Sequence, residues 1–294
     1  MVEQFLDYIR TEKRYSPHTI TSYAKDLADF SLFVKETEGQ NEILYVDKKV
    51  IKNYMINLSE RHLSKRSINR KLSTLRSFYQ YLLRLGEIQV SPMESITSLK
   101  FYPEKQLPFS QEEMAEVLEV LKASGTTLDY LVVETLYQTG MRRAELCQLK
   151  LNDVRFSSNE IRVVGKGNKV RIIPISEALK DLLCAYYQND RSPNDVASTY
   201  FFIHDNGKKL TEKFVYSVVN NYFSLVSSKK KRSPHMLRHS FATHLLDNGA
   251  EISKVKEIMG HASLASTQVY TSANIQQLKK VLEANHPRAK RDNK

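Results

Sequence analysis

The chain has 294 residues, enough for one large domain or two ordinary domains with a sizeable core, and we expect two. It carries 44 Lys and Arg against 33 Asp and Glu, a net charge of +11 that favours a polyanionic partner. Nucleic acid is the first expectation, although ribosomal and membrane-surface proteins share this balance. No apolar run is long enough to cross a bilayer and the N-terminus lacks a signal-peptide pattern, so we expect a cytoplasmic protein.

Metal and cofactor chemistry has little support in the composition. Cys147 and Cys184 are too few for a disulfide framework or for a zinc site built from cysteines. His235 and His239 stand four positions apart, but the glutamate of the H-E-x-x-H motif is missing between them. We therefore predict that the protein uses neither a metal ion nor a cofactor.

Helical patterns fill the first hundred residues. Ser16 followed by Pro17 is a typical helix start, and apolar residues then recur at three- and four-residue spacing as far as Val34. A second helix is predicted over about 49–61. A third begins at Ser64 and ends near Gly86, which suits a C-terminal cap.

The third predicted helix carries a polar stripe. Its spacings of four, three and four residues place the polar side chains on one face, which would suit a DNA groove. The stripe consists of Arg66, Arg70, Ser73 and Ser77, and the basic residues Lys65, Lys71 and Arg76 lie nearby in the sequence. A solvated helix face that binds nothing is the alternative.

A stretch rich in proline separates this helical region from the rest of the chain. The sequence S-L-K-F-Y-P-E-K-Q-L-P-F, which starts at Ser98, has no helical period and is typical of a linker. Ser110 and Glu113 then have the spacing of a capping box, which predicts a helix from about Gln111. We predict a helical domain over 1–98, a linker over 99–107 and a second domain over 108–294.

The second domain mixes helices with one β-hairpin. The runs E-I-R-V-V and V-R-I-I-P-I flank G-K-G-N-K, which predicts two strands with Lys166 in or beside the turn. Helices are predicted over 128–137, 176–187, 213–223 and 273–284, with a polar loop over 189–198. The last eight residues are basic and predicted to be disordered.

The stretch from Ser233 to Tyr270 concentrates the residues with chemistry. His235 and Arg238 are three positions apart, and Gly260-His261 precedes Tyr270 by nine residues. An arginine can bind phosphate through its planar donors, a histidine can move a proton near neutral pH, and a tyrosine can be a covalent nucleophile. The combination indicates a phosphoryl-transfer site.

Four motifs, in order along the chain, carry a family resemblance. They are T-G-M-R-R-A-E-L, G-K-G-N-K-V-R-I-I-P-I, H-M-L-R-H and M-G-H-A-S-L-A-S-T-Q-V-Y. Together they resemble the signature of the tyrosine recombinases, the phage-integrase and Xer group. The run from Ser16 to Phe30 is similar to the helical DNA-clamping domain of that family. The catalytic residues that the resemblance implies are Arg142, Lys166, His235, Arg238, His261 and Tyr270.

The chemistry of DNA cleavage assigns a role to each. Tyr270 attacks the phosphodiester, while Arg142 and Arg238 neutralise charge on the non-bridging oxygens. His235 is the expected acceptor of the tyrosine proton and Lys166 the expected donor to the leaving 5′-oxygen. His261 would hold a phosphate oxygen by a hydrogen bond.

Two further residues of the first motif need comment. Glu145 matches the acidic position of the motif and could orient an arginine or a lysine in the site. Arg143 stands where relatives usually carry an aliphatic residue. It could face DNA, or it could compete with Arg142 for the place in the site.

The resemblance also implies an architecture and a set of partners. The expected fold is mainly α, with a small β-sheet in an α+β catalytic domain preceded by an all-α, SAM-like core-binding domain, together a C-shaped DNA clamp. A 3′-phosphotyrosyl intermediate and a Holliday junction are implied, with no need for ATP or metal. The implied partners are double-stranded recombination sites at the nucleoid, a homotetramer or heterotetramer that exchanges its C-terminal helix between subunits, and an accessory DNA translocase.

Other functions share parts of this pattern. A type IB topoisomerase uses similar chemistry on one duplex, but the linker, the clamp domain and the hairpin argue against it. A DNA-binding protein with an inactive site would have lost some of the six matching positions. Among recombinases, Xer-type resolution of chromosome dimers leads, since the chain leaves no room for an arm-binding domain, and a mobile-element integrase or invertase is the runner-up.

Overall fold

The computed structural model describes residues 1–40, 42–102, 106–165, 169–191, 198–260 and 272–289. The chain divides into two compact units, Met1–Glu104 and Lys105–Lys294, and each has its own hydrophobic core. The division falls within the segment 99–107. Across the described ranges, no helix combines the length and the apolar character needed to cross a membrane.

Four helices form the first unit: α1 (Val2–Thr11), α2 (Pro17–Glu38), α3 (Lys48–Glu60) and α4 (Lys65–Leu85). The predictions of α2, α3 and α4 are confirmed. The hydroxyl of Ser16 accepts a hydrogen bond from the Thr19 amide at the start of α2, and Ser64 caps α4 in the same way. Helix α1 was not predicted, because it has no side-chain cap to mark its start.

A network of charged and polar side chains joins α2, α3 and α4. The carboxylate of Asp29 on α2 accepts hydrogen bonds from Tyr54 Oη at 2.7 Å, Lys71 Nζ at 2.8 Å and Arg61 Nη1 at 3.1 Å. Burial alone would raise the pKa of Asp29, but these donors, with Lys71 foremost, lower it to about 2. Lys71 therefore serves the interior rather than the surface.

The second unit contains eight α-helices and three strands among its described residues. They are α5 (Gln111–Ser124), α6 (Thr127–Thr139), α7 (Arg143–Gln148), β1 (Val154–Arg155), β2 (Glu160–Val164), β3 (Val170–Pro174), α8 (Glu177–Ala185), α9 (Glu212–Val226), α10 (Pro234–Asp247), α11 (Ile252–Met259) and α12 (Ser272–Asn285). The mainly α fold with a small sheet is thus confirmed. The short elements α7, β1 and α11 were not predicted.

The predicted hairpin is present as part of an antiparallel sheet in the order β1-β2-β3. Its register pairs Val163 with Arg171 and Val164 with Val170. The Gly165 amide donates to the Lys169 carbonyl at 2.8 Å and closes the end of the ladder. The predicted turn residue Lys166 lies outside the described residues.

The C-terminal helix packs on its own unit. Leu278 and Leu282 of α12 are buried in the core of the second unit. His286 Nε2 lies 3.1 Å from the Tyr137 carbonyl, and the guanidinium of Arg288 pairs with the buried carboxylate of Glu134 at 2.8 Å.

Of two predictions about this end of the chain, one stays a prediction and one is wrong in part. The exchange of α12 between subunits stays a prediction, and within this chain Leu278 and Leu282 of the helix lie in the core of their own unit. The prediction of a disordered tail is wrong for 287–289, since Arg288 is held by Glu134. The remaining tail residues, 290–294, lie outside the described residues.

Candidate active site

The first arginine of the site is placed by the turn between α6 and α7. Helix α6 ends at Gly140 in a left-handed conformation, and Arg142 directly precedes α7. Glu145, three residues later, accepts a hydrogen bond from the Arg142 amide at 2.7 Å and another from Arg142 Nη1 at 2.8 Å. The side chain of an acidic residue in the first helical turn thus accepts a hydrogen bond from the residue that precedes the helix. It holds the Arg142 side chain, which is 41% exposed, at the surface of the site.

The carboxylate of Glu145 is buried and has a second, stronger partner. Arg171 on β3, also buried, donates from Nη1 to Oε1 at 2.9 Å and from Nη2 to Oε2 at 2.7 Å. Burial alone would raise the pKa of Glu145, but Arg171, and then Arg142, lower it to about 2. Glu145 is therefore a carboxylate at any physiological pH.

Arg238 is a second arginine of the predicted site, and its environment differs. It lies on α10, is only 4% exposed, and donates to the carbonyls of Gly140 and Met259, the latter at 2.6 Å. Burial, followed by the positive charges of Arg142 and Arg171, lowers the pKa of Arg238 to about 10. The guanidinium still carries its charge at neutral pH. It links the end of α6 to the end of α11.

The two adjacent arginines of the first motif point to different partners. Arg143 donates from Nε to Glu212 Oε2 on α9 at 2.9 Å. Arg142 instead contacts Glu145, and its charge acts on Arg238. Arg142 thus bonds to Glu145, Arg238 bonds to the carbonyl of Gly140, two residues before Arg142, and Arg143 pairs with Glu212 on α9.

The histidines of α10 separate into exposed and buried positions. His235 and His239 are exposed, and His235 lies in the first turn of the helix. His244 is buried, and its Nδ1 lies 2.7 Å from the hydroxyl of Tyr137. Burial lowers the pKa of His244, which favours the neutral ring. His244 is therefore suited to a role in the core.

Three of the six predicted catalytic residues cannot be placed by the structure. Lys166, His261 and Tyr270 lie outside the described residues. The described chain ends at Gly165 before the first of them and at Gly260 before the second. Their roles therefore stay predictions.

The polar stripe on α4 is only partly available to a ligand. Lys65 and Arg66 are exposed. Arg70 makes a two-pronged contact with the buried carboxylate of Asp26, which includes a bond from Nη2 to Oδ1 at 2.9 Å. Ser73 donates to the Asn69 carbonyl at 3.0 Å. Ser77 is half-buried, and of the nearby basic residues Lys71 pairs with Asp26 and Asp29 while Arg76 donates to the Ile96 carbonyl.

Arg171 is the residue of this cluster that the sequence reasoning missed. It stands inside the second strand of the hairpin, where three of its four companions are apolar. A charged residue in such a run must be buried beside a partner of opposite charge or point to solvent. That signal was available, but the partner, Glu145, is 26 residues away in the chain.

The cluster favours an anionic ligand. Two guanidinium groups, Arg142 and Arg171, bind the Glu145 carboxylate, and a third, Arg238, bonds only to backbone carbonyls, so positive charge is in excess and held by fixed hydrogen bonds. Fixed cationic donors can stabilise negative charge without first reorganising. A phosphate group with developing charge is the ligand that such a site suits best.

Comparisons with known proteins agree with this geometry. Residues 108–277 match the family model described as "Phage integrase family", and residues 2–86 match "Phage integrase, N-terminal SAM-like domain". The chain is 34% identical to tyrosine recombinase XerC of Lacticaseibacillus casei (strain BL23), over 95% of each chain. It is 35% identical to tyrosine recombinase XerD of Staphylococcus haemolyticus (strain JCSC1435), over 98% of this chain and 99% of that protein.

A solved structure is similar in fold. The Tn1549 transposon integrase in complex with transposon right end DNA superposes with a TM-score of 0.73 at 20% identity. The match covers 94% of this chain and 96% of that one. The likeness therefore extends through both units of the chain.

The depressed pKa of Glu145 predicts a pH-dependent contribution to stability. A carboxylate with a pKa of about 2 when folded and 4.5 when free stabilises the fold fully above pH 4.5. That contribution, on the order of 3 kcal/mol, disappears as the pH falls from 4.5 towards 2. Urea unfolding of the wild type and of Glu145→Gln should show a difference at pH 6 that shrinks steadily below pH 4.5.

The exposed residue Glu119 provides the control for this measurement. Its carboxylate pairs with Lys122 at the surface, so Glu119→Gln should leave the free energy of unfolding nearly unchanged at pH 6 and at pH 2.5. A Glu145→Gln difference that is the same at pH 6 and pH 2.5 would contradict the prediction.

Proposed function

The chain belongs to the phage integrase family, and from this premise we propose that it is a site-specific tyrosine recombinase that cuts and rejoins DNA strands. The observation that carries the proposal is the cluster of Arg142, Glu145, Arg171 and Arg238. This cluster lies in the unit that matches the catalytic family model. Its excess positive charge supports the binding of a DNA phosphate.

In the proposed first step, the Tyr270 oxygen forms a bond to the scissile phosphorus and the bond from phosphorus to the 5′-oxygen breaks. Arg142 and Arg238 bind the non-bridging oxygens as their charge grows. His235 accepts the tyrosine proton, Lys166 donates a proton to the leaving oxygen, and His261 holds a phosphate oxygen.

The second step reverses the first with a different strand. The 5′-hydroxyl of a partner strand attacks the 3′-phosphotyrosine and releases Tyr270. One phosphodiester is exchanged for another through a Holliday junction, so no external energy source is required. Each step replaces one phosphodiester bond with another, so their number does not change.

For the biological role we propose Xer-type resolution of chromosome dimers at the nucleoid. The support is the similarity to proteins named XerC and XerD over nearly the full chain. Because the two identities differ by one percentage point, the proposed assembly on two DNA sites is either a homotetramer or a heterotetramer with a paralogue. An accessory DNA translocase is part of this proposal.

Integration or inversion by a mobile-element recombinase is the second candidate. The fold is similar to that of the Tn1549 transposon integrase at 20% identity. That likeness shows the fold alone. The identity to the Xer proteins is higher, so the Xer role is preferred.

The central prediction concerns a covalent adduct. Purified protein incubated with nicked duplexes that carry candidate sites should form a denaturant-resistant protein–DNA complex, because the nick prevents religation. Tyr270→Phe should bind the same DNA in a gel shift but form no adduct, since phenylalanine has no nucleophilic oxygen. Binding without any adduct in the wild type would favour an inactive DNA-binding protein, and an adduct in the mutant would mean that another tyrosine attacks.

The adjacent arginines provide a matched pair for the same assay. Arg142→Ala should slow adduct formation by about 10²- to 10³-fold at saturating protein, as expected for loss of a donor to the transition state. Arg143→Ala removes an exposed ion pair with Glu212 and should change the rate by no more than about fivefold. The reverse order of effects would show that Arg143, not Arg142, enters the site.

Helix α4 is the proposed DNA surface of the first unit, and the exposed cations Lys65 and Arg66 carry it. The double variant Lys65→Ala/Arg66→Ala should weaken binding and reduce the slope of log affinity against log salt by about 2, one for each lost phosphate contact. Titrations at several salt concentrations measure this slope.

The control for α4 removes two exposed cations from a different helix. Lys48 and Lys52 are exposed on α3, and Lys48→Ala/Lys52→Ala should leave the salt slope of the wild type nearly unchanged. Equal changes in the two double variants would mean that only the overall charge of the unit matters and that α4 is not the contact.

A further inference from the structure

Arg171 is a buried cation that the proposed cleavage mechanism does not use. All three of its guanidinium nitrogens donate hydrogen bonds. Nη1 and Nη2 donate to Glu145, and Nε donates to the Ile258 carbonyl at 2.9 Å. The side chain is buried and all of its donor nitrogens bind protein acceptors, so it is not itself available to DNA. Its contacts reach three separate parts of the site.

The first contact is with the hairpin. A methyl group built on Gly165 would lie 3.3 Å from Glu145 Oε1 and 3.6 Å from Arg171 Nη1. The Gly165 backbone is therefore packed directly against this ion pair. Lys166, the proposed proton donor to the leaving oxygen, is the next residue in the chain.

The second contact is with the end of α11. Gly260 has a left-handed φ of +69°, and a methyl group on it would lie 3.0 Å from Arg171 Cδ. Arg171 also donates to the Ile258 carbonyl, two residues earlier. His261, the proposed ligand of a phosphate oxygen, is the next residue in the chain.

The third contact passes through Glu145. Arg171 holds both carboxylate oxygens, and each of those oxygens also accepts a hydrogen bond from Arg142. The rotamer of Glu145, and with it the direction of the Arg142 guanidinium, depends on Arg171. A buried carboxylate without this partner would seek other donors, and Arg142 is the nearest.

We propose that Arg171 is a positioning residue for strand cleavage: through the Glu145 pair it fixes Arg142, and by packing against Gly165 and Gly260 it fixes the backbone directly before Lys166 and His261 in the sequence. This inference rests on the proposed function. A buried ion pair that only stabilised the fold could stand anywhere in the core. This pair instead contacts the residues directly before two proposed catalytic groups and holds a third.

Arg171→Lys is the decisive variant, because it keeps the charge but cannot make the two parallel bonds and the third bond together. Its matched control is Arg162→Lys on β2. Arg162 also pairs with a buried carboxylate, Asp153 at 3.0 Å, but the register places it on the opposite face of the hairpin from Arg171. Thermal unfolding and gel shifts establish that both variants fold and bind the nicked duplex.

The rate of adduct formation is then measured at saturating protein on two substrates. One has the natural 5′-oxygen at the scissile phosphate and the other has sulfur in that bridging position. A thiolate leaves without a proton, since thiols have a pKa near 8.5. The sulfur substrate therefore relieves a defect in the proton donor, which a general loss of stability would not show, and Lys166→Ala provides the reference pattern.

Arg171→Lys should slow cleavage of the oxygen substrate by about 10²-fold, as expected for a small displacement of catalytic groups. Sulfur should recover part of this loss, so that the sulfur-to-oxygen rate ratio exceeds that of the wild type. Arg162→Lys should keep the wild-type rate and ratio.

Two failures can be told apart. If the wild type forms no Tyr270-dependent adduct, the proposed function fails. If the wild type forms the adduct and Arg171→Lys cleaves like Arg162→Lys, or slows with an unchanged sulfur-to-oxygen ratio, the role of Arg171 is overturned alone.

A second variant tests the inference if Arg171→Lys does not fold. Gly165→Ala removes no charge and adds one methyl group against Glu145 and Arg171 from the hairpin side. It should slow the oxygen substrate and raise the sulfur-to-oxygen ratio in the same direction. A wild-type rate and ratio in this variant would overturn the proposal.

Discussion

The buried carboxylate of Glu145 in the second unit must be paired with positive charge, and the arginines that pair with it form the site. Arg171 takes both oxygens from β3, and Arg142 adds two further hydrogen bonds from the start of α7. Removing one partner of a buried pair leaves an uncompensated charge, which is far more costly than the pair itself. The hairpin and α7 are therefore held in one arrangement, and the surrounding glycines bring the chain close to it.

Positive charge in excess of one carboxylate also needs an explanation, because guanidinium groups repel each other. Arg238 has no carboxylate among its hydrogen-bond acceptors and instead donates to the carbonyls of Gly140 and Met259. These groups stand at the C-terminal ends of α6 and α11, where helices carry partial negative charge. Helix ends thus hold a buried cation without neutralising it, and a phosphate can supply the missing negative charge.

Local signals account for the parts of the fold that were predicted. Serine caps placed the starts of α2, α4 and α5, and alternating β-branched residues placed β2 and β3, because these patterns act over four residues or fewer. Helices α1 and α11 have no side-chain cap, so no residue at their starts predicts where they begin. The exchange of α12 rests on the resemblance alone and stays a prediction, and within this chain Leu278 and Leu282 lie in the core of their own unit.

By itself, the sequence determined the family, the residue types of the site and the local elements that carry them. These features depend on the order of the motifs and on spacings of a few residues. Only the tertiary structure decided which charges meet. It paired Arg171 with Glu145 across 26 residues and Arg70 with Asp26 across 44, and it directed Arg143 to Glu212 while its neighbour Arg142 entered the cluster. The physical reason is that ion pairing depends on the distance between charged groups in space. Only the packing of the surrounding helices decides which acidic partner each of two adjacent arginines reaches.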